Sequence, residues 1–251
     1  MTAGRAPKAP VAVALDAPDA ETAARWAQAV TPYVAVVKVG LELFCRTGPS
    51  IAASVRGASD TALFLDLKLH DIPNTVAGAA RSVAGLGPRY LTVHAGGGSD
   101  MVRAAVDAVA GQVLIAAVTV LTSLDGPALA RIGLTGSPLD SVRRLSLLAV
   151  EAGAGALVCS PREVAAVRAE VGPDVVLITP GVRPAGSDAQ DQARVATPRQ
   201  ALADGADLLV IGRPITGAAD PGAAAARLAA ELSAARLRDV DEPGACPSEP
   251  D

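Results

Sequence analysis

Short runs rich in Val, Ile, Leu and Ala recur along the chain at residues 11–15, 34–39, 62–67, 90–93, 113–120, 156–159, 175–178 and 208–211. Each is short enough for a buried strand, and the stretches between them carry helical periodicity and helix-start signals. Ser160-Pro161-Arg162-Glu163 and Thr197-Pro198-Arg199-Gln200 both read as capping boxes with proline at the first helical position. Strand followed by helix, eight times over in 251 residues, predicts a single-domain α/β fold, the closed (β/α)8 TIM barrel. An open doubly wound sheet is the alternative arrangement of the same units.

No composition shift interrupts residues 11–238, which form the expected barrel domain. Residues 1–10 are small and polar with two prolines and read as a flexible leader, and the Pro-rich, acidic residues 239–251 read as a disordered tail. Half of the residues are apolar, yet no run approaches the ~20 needed to span a bilayer. The leader has no apolar core of the kind found in secretory signals. Cys45, Cys159 and Cys246 are odd in number and lack metal-ligand spacing, so free thiols in a reducing, cytoplasmic setting are expected. The net charge of −4 and the scarcity of aromatic residues argue against a nucleic-acid groove and for a small-molecule partner.

The cations change the picture most. Of 22, nineteen are arginine, and the only lysines are Lys8, Lys38 and Lys68. Lysine differs from arginine in being able to give up a proton, so a chain that uses arginine for ordinary charge and places two lysines at strand ends suggests chemistry there. In Phe64-Leu65-Asp66-Leu67-Lys68 the alternation of a strand puts Asp66 and Lys68 on one face, with Leu63, Leu65 and Leu67 on the other. Asp71 follows in the next loop, and Asp16 and Lys38 end the two preceding strands. In a barrel these ends share the C-terminal face where catalytic groups lie. A lysine flanked by carboxylates is favoured as the ammonium, an acid rather than a Schiff-base nucleophile. The competing reading is a salt-bridge network that stiffens the mouth.

The loops after the last two strands hold Thr179-Pro180-Gly181-Val182-Arg183, Gln192 and Ile211-Gly212-Arg213-Pro214. Barrel phosphate sites commonly form there, and Arg213 could pair a phosphate bidentately, whereas Arg183 reads equally well as a solvated loop cation. His70 and His94, the only histidines, receive no chemical role.

The run Asp66-Leu67-Lys68-Leu69-His70-Asp71-Ile72-Pro73-Asn74-Thr75 resembles the DxKxxDIxxT signature of the orotidine 5′-monophosphate decarboxylases. The likeness extends through Ala14-Leu15-Asp16, Val37-Lys38-Val39-Gly40, Thr119-Val120-Leu121-Thr122-Ser123 and the two late loops. It implies cofactor-independent, metal-free decarboxylation of orotidine 5′-monophosphate to uridine 5′-monophosphate, the last step of UMP biosynthesis, with Lys68 as proton donor. It further implies a homodimer in which Lys38, Asp66, Lys68 and the partner subunit's copy of Asp71 alternate in charge about the scissile carboxylate. Asp16 and Lys38 would contact the ribose, with Thr75 reaching it across the interface. Thr122 would meet the pyrimidine edge, and Arg183, Gln192, Gly212 and Arg213 the phosphate, under a loop between Gly181 and Ala196 that closes over it.

Two other readings of the same residues remain. A sugar-phosphate decarboxylase or synthase on a related barrel would use Mg2+ and want an acid where Lys38 stands. A catalytically silent nucleotide-binding barrel would tolerate loss of Lys68.

Overall fold

In the computed structural model, residues 7–56, 61–183 and 196–241 are described, the last of these with side chains to residue 234. The eight strands are β1 (Ala9–Ala14), β2 (Val34–Gly40), β3 (Ala62–Leu69), β4 (Tyr90–His94), β5 (Leu114–Val118), β6 (Ala156–Val158), β7 (Val176–Pro180) and β8 (Leu208–Ile211). All neighbours pair in parallel, and β8 closes onto β1. The fold is the (β/α)8 barrel. The helices between strands are α1 (Ala20–Val30), α2 (Leu41–Thr47), α3 (Ile51–Arg56), α4 (Pro73–Ala84), α5 (Ser99–Val109), α6 (Gly126–Arg131), α7 (Pro138–Glu151), α8 (Val164–Val171) and α9 (Pro198–Ala203); α10 (Arg213–Thr216) and α11 (Pro221–Asp241) follow β8.

Strand alternation sorts the side chains into two cores. Ala12, Val36, Phe64, Tyr90, Ala116, Ala156, Ile178 and Leu208, one from each strand, fill the barrel interior. Large residues meet small ones there: the Phe64 and Tyr90 rings sit edge to face at 5.7 Å between centroids, and three alanines complete the ring. The intervening residues, such as Val11, Val37, Leu63, Leu65, Leu67 and Leu91, pack outward against apolar helix faces. This plugged interior makes the floor on which the strand-end residues stand.

Several boundaries move from those expected. β5 ends at Val118 rather than residue 120; the Thr119 N–H makes the last ladder bond to the Val158 carbonyl (3.2 Å), which the Thr119 hydroxyl also reaches (2.9 Å). The helix expected from Pro161 begins at Val164, since residues 160–163 form a turn in which the Glu163 carboxylate accepts the Ser160 N–H at 2.8 Å. At Thr197 the hydroxyl caps Gln200 as expected (3.2 Å), but the Gln200 side chain bonds forward to Asp204, so the box is only half formed. A complete capping box stands instead at Ser137 and Asp140, where aspartate takes the place usually held by Glu or Gln. β1 starts at Ala9, inside the expected leader, and α11 continues to Asp241, beyond the expected start of the tail. The remainder of the leader, residues 1–6, and of the tail, residues 242–251, lies outside the described residues, as does Cys246.

Candidate active site

The C-terminal ends of β1, β2 and β3 bring four of the expected charged residues, Asp16, Lys38, Asp66 and Lys68, together. Lys38, Asp66 and Lys68 all occupy inward positions. The Asp66 carboxylate lies between the two ammonium groups, its Oδ1 2.7 Å from Lys68 Nζ and its Oδ2 3.2 Å from Lys38 Nζ. Asp16 extends the alternation at 3.8 Å from Lys38 Nζ. Gly40 makes room for this cluster, because a Cβ there would stand 3.0 Å from Asp16 Oδ1 and 3.1 Å from Lys38 Nζ.

Exposure is graded along the line. The Lys38 and Asp66 side chains are 8% and 15% exposed, whereas Lys68 is 34% exposed and so reaches the cavity with solvent access. Burial by itself would raise the Asp66 pKa; the charges of Lys38 and Lys68, and hydrogen bonds from both, outweigh it and hold the carboxyl below its ordinary value. Asp66 therefore remains an anion across the physiological range.

Lys68 departs from regular strand geometry. Its φ is +50°, in the left-handed region, a conformation costing a non-glycine residue roughly 1–2 kcal/mol. Between the pairs Leu65↔Leu91 and Leu69↔Val93, β3 advances four residues while β4 advances two. This bulge carries Lys68, and re-aiming of a side chain is a common consequence of such bulges beside active sites. The Lys68 N–H is taken by the Thr92 hydroxyl at 2.8 Å, and Thr92 Oγ1 lies 3.1 Å from Asp66 Oδ1.

Beside the charges opens a pocket of about 160 Å3 lined by Phe64, Asp66, Lys68, Thr122, Cys159 and a wall of apolar residues that includes Val118, Ile178 and Val210. One side of it is ionic and the other dry, an arrangement that strengthens electrostatic interaction with a bound molecule. Cys159 is no nucleophile here: burial, then the Glu163 charge, push its thiol up to about 12. The His70 and His94 rings lie against each other, tilted by 35° with centroids 5.3 Å apart. Burial first, then the charges of His70 and Lys68, depress the His94 pKa, which keeps this ring neutral near pH 7. Among the described residues no group of three or more His, Cys, Asp or Glu side chains could hold a metal ion.

Of the remaining expected residues, Asp71, Thr75, Arg183, Gly212 and Arg213 lie in segments that follow the C-terminal ends of β3, β7 and β8. Asp71 is exposed, accepts the Ile72 N–H at 2.6 Å and forms no ion pair among the described residues. Thr75 is exposed in the first turn of α4. Arg183 donates its backbone N–H to Ala196 at 3.2 Å, the two ends of the late loop being held together by the Val182↔Ala196 bridge. Gly212 and Arg213 form the junction of β8 with α10. Gln192 and the loop from 184 to 195 lie outside the described residues.

The sequence of residues 9–228 matches the model of the orotidine 5′-phosphate decarboxylase / HUMPS family. The chain belongs to this family. It is 74% identical over 224 residues to the orotidine 5′-phosphate decarboxylase of Thermobifida fusca, covering 89% of this chain and 96% of that one. Against the enzyme of the same name from Frankia casuarinae it is 62% identical over 245 residues, 91% of this chain and 89% of the relative. The crystal structure of orotidine 5′-phosphate decarboxylase from Lactobacillus acidophilus superposes with a TM-score of 0.78 at 35% identity, covering 89% of this chain and 98% of that one.

Within this decarboxylase-family barrel, two residues take part in the site to which the sequence assigns no role: Thr92, and Gly40, which it shows only as part of a matching run. In sequence Thr92 is only one position of the strand-like run 90–93. The available signal was its phase: it shares the inward face of β4 with Tyr90 and His94, where a small polar side chain amid apolar neighbours needs a partner.

Proposed function

We propose that the chain catalyses decarboxylation of orotidine 5′-monophosphate to uridine 5′-monophosphate and CO2, with Lys68 as the proton donor. The observation that carries the reading is the Lys38–Asp66–Lys68 line at the edge of a largely apolar pocket, in a chain that shares most of its length with decarboxylases. The C6–carboxylate bond breaks and its electron pair stays on C6. The Lys68 ammonium stabilises that pair electrostatically and then transfers a proton to C6. The resulting amine regains its proton from water, to which the 34%-exposed side chain has access. Asp66 aims Lys68 and, with Lys38, fixes the local charge before substrate arrives, so little reorganisation accompanies the reaction. No organic cofactor or metal enters this scheme.

The substrate lies with its pyrimidine near Thr122 and the apolar wall, its ribose near Asp16 and Lys38, and its phosphate toward Arg183, Gln192, Gly212 and Arg213. Remote binding of the phosphate under the Gly181–Ala196 loop supports the chemistry at C6. A homodimer completes the site, with Asp71 and Thr75 contributed across the interface. Their exposure beside Ile72, an apolar side chain 66% exposed, supports that role. No described helix is long and apolar enough to cross a membrane, and we assign the enzyme to the cytoplasm. A Mg2+-dependent sugar-phosphate reaction is disfavoured because the strand-two position holds the Lys38 ammonium, already paired with Asp66 at 3.2 Å.

The test is the loss of orotidine 5′-monophosphate absorbance with purified, metal-chelated protein, with UMP and CO2 measured as products. Stoichiometric conversion supports the reading. Absence of turnover by a folded protein, with activity on a sugar phosphate when Mg2+ is supplied, would overturn it.

A further inference from the structure

Lys68 is held at both ends by a group that does not line the pocket. Thr92 on β4 is fully buried, and its Oγ1 accepts the Lys68 backbone N–H at 2.8 Å. That bond occupies a lone pair, so the single hydroxyl proton is directed to the other neighbour, Asp66 Oδ1 at 3.1 Å. The same Oδ1 receives Lys68 Nζ at 2.7 Å. A closed loop results: Lys68 N–H to Thr92, Thr92 to Asp66, and Asp66 to the Lys68 ammonium.

The loop sits where the β3–β4 ladder is interrupted. With Lys68 at φ +50° and the register slipping between Leu65 and Leu69, the Thr92 hydroxyl takes the Lys68 N–H within the bulge. A β-branched side chain is stiff about χ1, so this oxygen is presented from a strand with little freedom. We infer that Thr92 is a positioning residue for the decarboxylation: it holds the left-handed backbone of Lys68 and the orientation of Asp66, and through them the place of the ammonium. The inference rests on the role of Lys68 proposed above.

Thr92→Val keeps the shape and removes the hydroxyl, while Thr92→Ser keeps the hydroxyl and removes the methyl. The measurements are kcat and KM for orotidine 5′-monophosphate, across pH. For Thr92→Val the expected result is a kcat lowered about 10- to 100-fold with KM within about threefold, the range in which loss of a positioned proton-transfer geometry falls. The acid limb of the kcat profile should also move to higher pH, because Asp66 loses a donor. Thr92→Ser should recover to within about threefold of the parent.

A folded Thr92→Val with parental kcat would overturn the inference, and so would a folded Thr92→Ser no better than Thr92→Val. If Thr92→Val does not fold, Thr92→Ser and Thr92→Ala, which both lack the methyl, isolate the hydroxyl; equal kcat in that pair overturns the inference. Lys68→Ala in the same assay separates the two levels. Undiminished turnover by Lys68→Ala defeats the proposed chemistry itself, whereas a dead Lys68→Ala beside an unaffected Thr92→Val defeats only the role of Thr92.

Discussion

The two ends of the barrel use cations in opposite ways. At the C-terminal mouth, Lys38 and Lys68 face a carboxylate across which a substrate can be placed, and Lys68 sits in a strained backbone conformation with solvent access. At the N-terminal floor, Arg168 from α8 donates to the carbonyls of Gly172, Val175 and Gly205 and to the Asp207 carboxylate, which also accepts the Leu177 N–H. The planar guanidinium fork saturates its bonds and joins the loops that enter β7 and β8. Lys8 does comparable work on the same end, donating to the Thr61 hydroxyl at 2.8 Å. Arg168 and Lys8 are satisfied by fixed protein groups, whereas Lys68 at the mouth lines a cavity. A strand-end ion pair in a barrel is thus read by which end it occupies.

Substitutions can break this division. The largest effect expected short of removing Lys68 is at Asp66. Asp66→Asn leaves two ammonium groups without their shared anion, so kcat should fall by roughly 10^3-fold, measured on orotidine 5′-monophosphate at saturating concentration. At the floor, Arg168→Ala should instead cost roughly 2–4 kcal/mol in urea unfolding, from several charge-assisted bonds discounted for the partial exposure of Asp207, with kcat within about twofold of the parent. A large loss of kcat in a folded Arg168→Ala would erase the distinction between the ends.

Finer changes sharpen it. Gly40→Ala pushes a methyl to 3.0 Å from Asp16 Oδ1 and 3.1 Å from Lys38 Nζ, so kcat/KM should drop about tenfold, the order expected of a small displacement in a pre-set site, with little change in unfolding midpoint. In pH, the depressed Asp66 carboxyl contributes stability that is fully present above its ordinary value of 3.8 and is lost as pH falls through its lower folded value. The stability gap between parent and Asp66→Asn should therefore be constant above about pH 5 and shrink below pH 3.8 in denaturant titrations. Smallest of all is the effect of thiol reagents. Cys45 is exposed and should label without loss of turnover, while buried Cys159, at about 12, should react only on unfolding.

The legibility of this molecule in its sequence was uneven for physical reasons. The eight strands stood out because each buries both faces, and the spacing of two between Asp66 and Lys68 placed them correctly on the inner face. Arg168 drew no attention, since an arginine on a helix is ordinary until its carbonyl partners are assembled by the fold. The twist at Lys68 was equally hidden: left-handed backbone is signalled in sequence by glycine, and here a lysine is held there by a hydroxyl 24 residues away. Asp71 and Thr75 were legible through the motif alone, and the role proposed for them would need a second copy of the chain.

Whether Lys68 supplies the proton is read most directly from turnover of saturating orotidine 5′-monophosphate by Lys68→Ala. The expected fall in kcat is at least about 10^4-fold, combining lost proton donation with lost electrostatic stabilisation. A folded Lys68→Ala that still forms UMP within about tenfold of the parent rate would contradict it.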